Sequence, residues 1–515
     1  MARLRSHALP ALVLLAAALV ASPTMADQDH HLAGYPFLLD YELGFHRVVL
    51  SNDVTLWPSQ GPFTTTRLGE LLREMPLTAS RITTARPPAD HMRFFALTSG
   101  RLINDSDRDE FEDLTKLTAG VQFQPSQSVS AQVMFDLDRA KALDPDYSGK
   151  KWRGLAGDIE TAAIYYRTGG LSLTLGRQRL FLGPQPVNLF VSATAEPMDL
   201  ISAMYQHGRL DFSFTFARLD KSRPDSTDFE RYPDESFEEN RYLAVHRISL
   251  RLHRKFRLSL FESVTFGGEG RAPELYYLNP LQFFHTAQLN ERFDDNTMLG
   301  FDFLFLPAPG WATYGQFLLD DIQVDNSVES DKEPAEIGIV AGVFRAGKVG
   351  TAIPDVRLEY TRITNRTYHQ RKPRNRFLFR NELIGHPLGP DADSLSLLLR
   401  FWPSPRFKVD LETSYARHGE GRIYGPWDES FLEAEGEYSE PFPTGEVEKN
   451  LNLKIHLSGY PPLPGYWGRH FYLDAMAGYS DFSNRFNMTN FDDTVSWVDI
   501  SLTWIDWFDL FIGDN

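Results

Sequence analysis

From about Arg93 onward, large apolar side chains recur at every second position, and that spacing commits the chain to strands. In Leu210-Asp211-Phe212-Ser213-Phe214-Thr215-Phe216 and Leu171-Ser172-Leu173-Thr174-Leu175 the apolar residues share one parity. The same holds for Ile248-Ser249-Leu250-Arg251-Leu252, Phe301-Asp302-Phe303, Val356-Arg357-Leu358-Glu359-Tyr360, Leu451-Asn452-Leu453-Lys454-Ile455 and Val498-Asp499-Ile500-Ser501-Leu502. Successive side chains of a strand point to opposite faces, so each segment has one greasy side and one polar or charged side. After residue 26 no apolar run approaches the ~20 residues of a spanning helix. Barrel strands nevertheless cross a membrane while averaging to a polar sequence, because only alternate residues meet lipid. The 38 Phe, 20 Tyr and 9 Trp suit such a wall with aromatic girdles at its edges.

A soluble two-sheet sandwich also alternates. Connection lengths separate the two folds. Short links at Pro125–Ser128, Thr168–Gly170, Gln206–Arg209, His253–Lys255, Pro307–Gly310 and Pro403–Pro405 alternate with long polar ones near 139–156, 179–197, 218–239, 267–295, 365–393 and 418–448. Short turns at one end and long loops at the other are the outer-membrane pattern. The expected fold is all-β: a transmembrane antiparallel β-barrel of about 18 strands, an even number, with both ends on the periplasmic side. The last strand is expected near Val495–Trp504, which leaves a tail beyond the terminal aromatic residue that usually closes a barrel.

The front of the chain reads differently. Arg3 and Arg5, the apolar run Ala8–Ala21 and Thr24-Met25-Ala26 form an export signal with a cleavage site before Asp27. Within Phe63–Met75, Leu68, Leu71, Leu72 and Met75 lie at helical spacing between Pro58, Pro62 and Pro76. Three segments follow: a signal peptide over 1–26, a small periplasmic helical segment over 27–90, and the barrel over 91–515. The protein is expected in the outer membrane, exported through the periplasm, with lipid, lipopolysaccharide and the barrel-assembly machinery as partners.

Composition excludes several chemistries. With no cysteine, thiolate metal sites, iron–sulfur clusters and catalytic thiols are impossible. A net charge of -17 argues against nucleic acid as a partner. No Gly-x-Ser-x-Gly elbow or His-Glu-x-x-His helix is present, and the histidines share no spacing, so neither catalysis nor a cofactor is expected. Asp320-Asp321 with Asp325 lacks a glycine-spaced calcium loop, and like Asp294-Asp295 it reads as a solvated acidic stretch.

By parity, Arg247, Arg251, Asp302, Arg357, Glu359, Lys408, Asp410, Glu412, Lys454 and Asp499 face the lumen. Mixed signs tend to pair across strands, which favours a filled, cross-linked lumen over an open channel.

Several short elements sit where strands meet loops: Gly176-Arg177-Gln178-Arg179-Leu180-Phe181-Leu182-Gly183-Pro184, Leu278-Asn279-Pro280-Leu281, Tyr314-Gly315-Gln316-Phe317-Leu318-Leu319-Asp320-Asp321 and Gly385-His386-Pro387-Leu388-Gly389-Pro390-Asp391, preceded by Asn52-Asp53-Val54-Thr55-Leu56-Trp57-Pro58. In this order, with a helical front and an even-stranded barrel, the set resembles the Wzi family of capsule assembly proteins across most of the mature chain. The resemblance implies an outer-membrane surface lectin that binds and anchors capsular or other surface polysaccharide. The alternative is an outer-membrane porin or polysaccharide export channel.

Two loops are candidates for polymer contact. The 362–380 loop gathers Arg366, Tyr368, His369, Arg371, Lys372, Arg374 and Arg376 in an otherwise acidic protein. Arginines bind carboxylates and phosphates in bidentate fashion, which suits an acidic polysaccharide and equally suits lipopolysaccharide phosphates. The loop near 418–430 adds Arg422, Tyr424 and Trp427, whose rings fit either sugar faces or an interfacial girdle.

Overall fold

A computed structural model describes residues 37–52, 60–61, 91–105, 112–144, 147, 149–221, 240–291, 294–321, 332–434 and 438–511. The signal peptide and the helix expected within Phe63–Met75 lie outside the described residues.

Eighteen long antiparallel strands close into one barrel. They are β1 (His91–Asp105), β2 (Lys116–Gln124), β3 (Val129–Asp138), β4 (Leu155–Thr168), β5 (Leu171–Gln178), β6 (Met198–His207), β7 (Leu210–Leu219), β8 (Asn240–His253) and β9 (Phe256–Gly268). The second half is β10 (Asn296–Phe305), β11 (Trp311–Asp321), β12 (Glu336–Arg345), β13 (Asp355–Ile363), β14 (Ala392–Ser404), β15 (Phe407–His418), β16 (Glu448–Gly459), β17 (Phe471–Ser483) and β18 (Asp493–Phe511). Closure is made by β1 on β18, in register from His91 opposite Phe511 to Asp105 opposite Trp497. The expected end at Trp504 is therefore too early. In Trp504-Ile505-Asp506-Trp507-Phe508 large residues occupy both parities, which hides the alternation although the strand continues to Phe511.

Parity sorts the side chains as expected. Phe94, Val133, Leu175, Ile201, Leu250, Leu260, Phe301, Leu358, Leu411, Leu453 and Leu502 stand exposed on the outside, an apolar belt of the kind that meets hydrocarbon. Inside, charges pair across strands. Arg247 holds Asp302 through contacts of 2.7–2.9 Å, Arg101 holds Asp499 at 2.8 and 3.0 Å, and Lys454 meets Glu412 at 2.6 Å. Short turns such as 169–170, 208–209, 254–255 and 405–406 gather at the end that also holds His91 and Phe511, and long loops at the other. By the outer-membrane pattern the short-turn end is periplasmic.

A helix, α1 (Phe37–Ser51), lies inside this barrel. It falls within the 27–90 segment expected to be helical, upstream of the helix expected within Phe63–Met75. Tyr41, Phe45, His46, Val48 and Val49, spread over more than one face of the helix, are all buried, the mark of an enclosed helix rather than an amphipathic surface one. Phe45 packs edge-on against Phe344 with ring centres 4.7 Å apart. Glu42 enters the wall's charge network, 2.7 Å from Arg400 and 2.8 Å from Lys408, both of which also bind Asp410. Near its C-terminal end His46 meets Asp355 at 3.1 Å, and the Val49 carbonyl accepts from Gly310 N–H at 3.0 Å, beside the short turns.

Candidate functional site

The long 179–197 loop turns inward rather than outward. Asn188 folds it on itself, accepting from Phe190 N–H at 2.9 Å and donating to the Val191 carbonyl at 2.8 Å. Phe181, Leu189, Phe190 and Val191 are fully buried, and Phe190 stacks on Phe261 of the wall at 4.2 Å. Gln316, inward on β11, accepts from Leu189 N–H at 3.1 Å. A Cβ at Gly183 would lie 2.7 Å from the Gln316 Nε2, so only glycine allows the loop this close. On the helix side, the Tyr41 hydroxyl donates to the Pro184 carbonyl.

The 364–391 loop closes over the same point. Tyr368 is completely buried with φ at +68 to +71° for itself and Arg366, the left-handed region that residues with side chains seldom adopt. Its hydroxyl donates to the Leu189 carbonyl at 2.7 Å, and its N–H donates to Asp320 at 2.5 Å. A Cβ on Gly385 would lie 2.6 Å from the Tyr368 ring. His386 N–H donates to the Tyr368 oxygen at 3.3 Å, while its Nδ1 accepts from Leu388 N–H at 3.1 Å. Gly183, Pro184, Gln316, Asp320, Gly385 and His386, scattered over the sequence elements quoted above, thus converge on one plug.

The remaining motif residues serve elsewhere. Arg177 makes a bidentate pair with Asp199 at 2.7 and 2.8 Å, and Gln178 is buried at the end of β5. Gly315 makes room for the Phe303 ring, and Gly389 takes a turn at φ +75°. Asn279 and Pro280 lie in the 269–295 loop, away from the plug, where Asn279 caps Leu281 N–H at 3.1 Å. Two expectations of solvated carboxylates need correction. Asp320 is buried against Tyr368, and Asp295 is buried against Arg271 at 3.0 Å; Asp321 and Asp294 do stand at the surface. Both buried carboxylates face nitrogen donors that sequence spacing does not reveal. Among the described residues no group of three or more His, Asp or Glu is placed to hold a metal ion.

The basic loop divides into an inner and an outer set. Arg366 is buried, 3.1 Å from Asp428 and 2.6 Å from Glu440, with its guanidinium over Phe431. Burial works against the Asp428 carboxylate, but its bonds from Ser430 and the Arg366 charge outweigh that and hold it below the usual range. For Glu440 burial wins, and the carboxyl is pushed up despite the same arginine. His369 is buried with Nε2 2.9 Å from the Gly425 carbonyl and its ring tilted on Trp427, itself buried. Arg376 is buried too. Arg371 is half exposed, over Trp427 and 3.7 Å from Glu429. Lys372 meets Asp294 at 2.9 Å, and Arg374 is partly exposed in a single 3-10 turn, Pro373–Asn375. Arg422 is exposed but braced, donating to the Gly419 and Gly421 carbonyls at 2.6 and 2.8 Å; Tyr424 is exposed, with its hydroxyl on the Asn381 carbonyl.

Two residues that hold these loops escaped the sequence reading as functional candidates. Arg241, at the start of β8, donates to the carbonyls of Arg374, Arg376 and Leu378 at 2.7, 2.6 and 3.1 Å. Asp391, fully buried, accepts from Gly421 N–H and Thr444 N–H at 2.9 Å each and ties the 364–391 loop to the 419–447 loop. An arginine at a strand end carries no sequence signal for bonds to carbonyls more than a hundred residues away.

The family profile described as capsule assembly protein Wzi matches residues 96–487. The chain belongs to the Wzi capsule assembly family. The match spans both inward loops and the basic loop. Among solved structures, the barrel is similar to Wzi of Escherichia coli, described as an outer membrane protein involved in group 1 capsule assembly and a carbohydrate binding β-barrel. The two share 13% identity at a TM-score of 0.58, over 89% of this chain and 97% of that one. Two Pseudomonas aeruginosa proteins align less well: OccD3 (OpdP) at 10% identity and TM-score 0.47, over 82% of this chain and 93% of that one, and OccK3 (OpdO) at 9% and 0.47, over 81% and 96%. Scores that low carry no argument. No curated protein sequence matches the chain. At 13% identity the E. coli structure speaks for the fold, an eighteen-stranded barrel, while the family assignment rests on the sequence profile.

Proposed function

We propose that this Wzi-family protein is an outer-membrane surface lectin that holds capsular or other extracellular polysaccharide on its outer loops, without catalysis. The observation that carries this reading is the filled lumen. Tyr41, Gln316 and Tyr368 lock a helix and two loops inside the barrel, so polymer contact falls to the loop surface. The same filling stands against the alternative of a porin or export channel. Family membership and the carbohydrate binding attributed to E. coli Wzi support a glycan as the ligand.

Within the loops, Arg371, Arg422 and Tyr424, exposed, and Lys372 and Arg374, partly exposed, offer cations and an aromatic face to an acidic polymer. Repeated weak contacts along one polymer supply avidity, so no single pocket has to be tight. Arg366, Tyr368, His369 and Arg376 support that surface from beneath. Surrounding lipid, lipopolysaccharide and the assembly machinery that inserts the barrel complete the set of partners.

The test is a glycan-binding assay on detergent-purified protein against the host's own surface polymer, paired with an R371A/K372A/R374A variant. Binding by the parent and reduced retention by the variant at normal barrel levels are the expected results. Equal retention by both rejects the basic loop, and no binding by the parent rejects the lectin reading.

A further inference from the structure

The Leu278-Asn279-Pro280-Leu281 element takes no part in the plug, and its position explains why. On β8 and β9 the lumen-facing residues are odd-numbered, as Arg247 and Ser259 show by their bond of 2.8 Å inside the barrel. His246, Glu262, Val264 and Phe266 therefore stand on the outer wall. Residues 269–291 pack against that wall. Tyr277 from the helical turn α2 (Leu275–Leu278) and Phe284 from α3 (Phe284–Glu291) are completely buried against Phe216, Val264 and Phe266.

The loop is pinned there by polar bonds. Arg271 binds both Glu274 and Asp295, and the Tyr277 hydroxyl donates to Asp295 at 2.8 Å. His285 N–H caps Glu262 at 3.0 Å, and Glu262 pairs with His246 at 2.8 Å. Glu262 lies directly across from Leu299 of the apolar belt and two residues from Leu260, at 37% and 59% exposure. Without the loop, this histidine–carboxyl contact would face the same medium as those leucines, and ionisable groups in hydrocarbon are costly.

The loop's other side carries Leu275, Leu281, Phe283 and Leu289, exposed at 84, 81, 67 and 65%. The belt residues Ile248, Leu260, Leu299 and Phe301 are exposed on the same outer wall that the loop packs against. Two N–H groups of the bend are bonded locally, Leu281 to the Asn279 side chain and Gln282 to the Asn279 carbonyl, each at 3.1 Å. Backbone polar groups at membrane depth need partners within the protein, which the helical turns α2 and α3 and the face packed on the wall supply. We propose that residues 269–291 form an apron seated in the outer leaflet, where Leu275, Leu281, Phe283 and Leu289 contact lipid acyl chains and the opposite face shields the His246–Glu262 pair. The apron anchors and orients the barrel, independently of whether the upper loops bind glycan.

The chain has no cysteine, so single-site spin labelling of the full-length protein is direct. Leu281→Cys, Phe283→Cys and Leu289→Cys variants, each carrying a nitroxide, are reconstituted into liposomes of phospholipid and lipopolysaccharide. Leu260→Cys in the belt and Ser430→Cys on an exposed upper loop serve as references, and heat-modifiable gel mobility verifies that each variant is folded. Collisions with oxygen, which partitions into acyl chains, are compared with collisions with a water-soluble nickel chelate. Oxygen-dominated relaxation at 281, 283 and 289, matching Leu260→Cys, is the expected result. Nickel access at the level of Ser430→Cys overturns the proposal. So does low access to both reagents with spin–spin broadening, which would show a second copy covering the patch.

Discussion

The hydroxyl of Tyr368 donates to the carbonyl of Leu189 at 2.7 Å, joining two loops 179 residues apart in the chain at the centre of the barrel. Regular structure in the two loops is limited to two-residue strand pairings and one 3-10 turn, so the joint matters to both. Tyr368→Phe leaves the Leu189 carbonyl buried without its donor, at a cost of about 1–3 kcal/mol. Gly385→Ala forces a Cβ to within 2.6 Å of the same ring and destabilises further. Limited proteolysis of the two loops in folded, detergent-solubilised protein should show faster cleavage in the order parent, Tyr368→Phe, Gly385→Ala.

Arg366 and Arg371 lie five residues apart in one basic loop and do different work. Arg366→Ala strands Asp428 and Glu440 and removes a buried charge pair, which costs about 3–5 kcal/mol. Arg371→Ala is a surface change within about 0.5 kcal/mol of neutral. Thermal unfolding should therefore drop sharply for Arg366→Ala alone. Polysaccharide retention should fall for Arg371→Ala at unchanged stability.

The lumen contents make a prediction about current. The parent protein should be electrically silent in planar bilayers. Phe45→Ala removes the contact with Phe344 and costs helix α1 about 3–5 kcal/mol of docking energy. That variant should show intermittent openings, and deletion of 37–51 a larger steady conductance. Silence in all three would mean that the inward loops block the path without the helix.

The loop over the plug should also respond to acid. Burial pushes the half-buried His386 imidazole down to about 4, and its Nδ1 accepts from Leu388 N–H, a role only the neutral ring can fill. Between the ordinary imidazole value near 6.5 and that lowered one, the unfolded loop binds more protons than the folded one. Loop stability is then complete above about pH 6.5 and falls as the pH drops toward 4. Protection factors for hydrogen exchange over residues 364–391, taken relative to the intrinsic rate at each pH, should fall from pH 7.5 to 5 in the parent, and a His386→Gln variant should flatten that dependence.

The barrel was legible because lipid on one side and charge on the other impose a period of two, and residues such as Leu250, Arg251 and Leu252 keep to it. It blurred where both faces are apolar, as at Ile505 and Trp507, the first fully buried and the second half-buried on the lumen side. The quoted motifs marked the right positions without disclosing their purpose. Gly183, Gln316 and Gly385 matter through contacts between segments more than a hundred residues apart, apart from the local approach of Gly385 to Tyr368. The basic loop was visible as charge, yet only coordinates separate Arg366, facing inward, from Arg371, facing out. Helix α1 carries no strand-like signal of its seat, because its partners Phe344, Arg400 and Lys408 lie 299 to 366 residues downstream.

That separation has a consequence for the order of events in biogenesis. Glu42 needs Arg400 and Lys408 around it, and those side chains come together only when β14 and β15 stand side by side. The segment that leaves the ribosome among the earliest is thus among the last to find its seat, and it must wait unfolded or shielded until a nearly complete cylinder is ready to receive it.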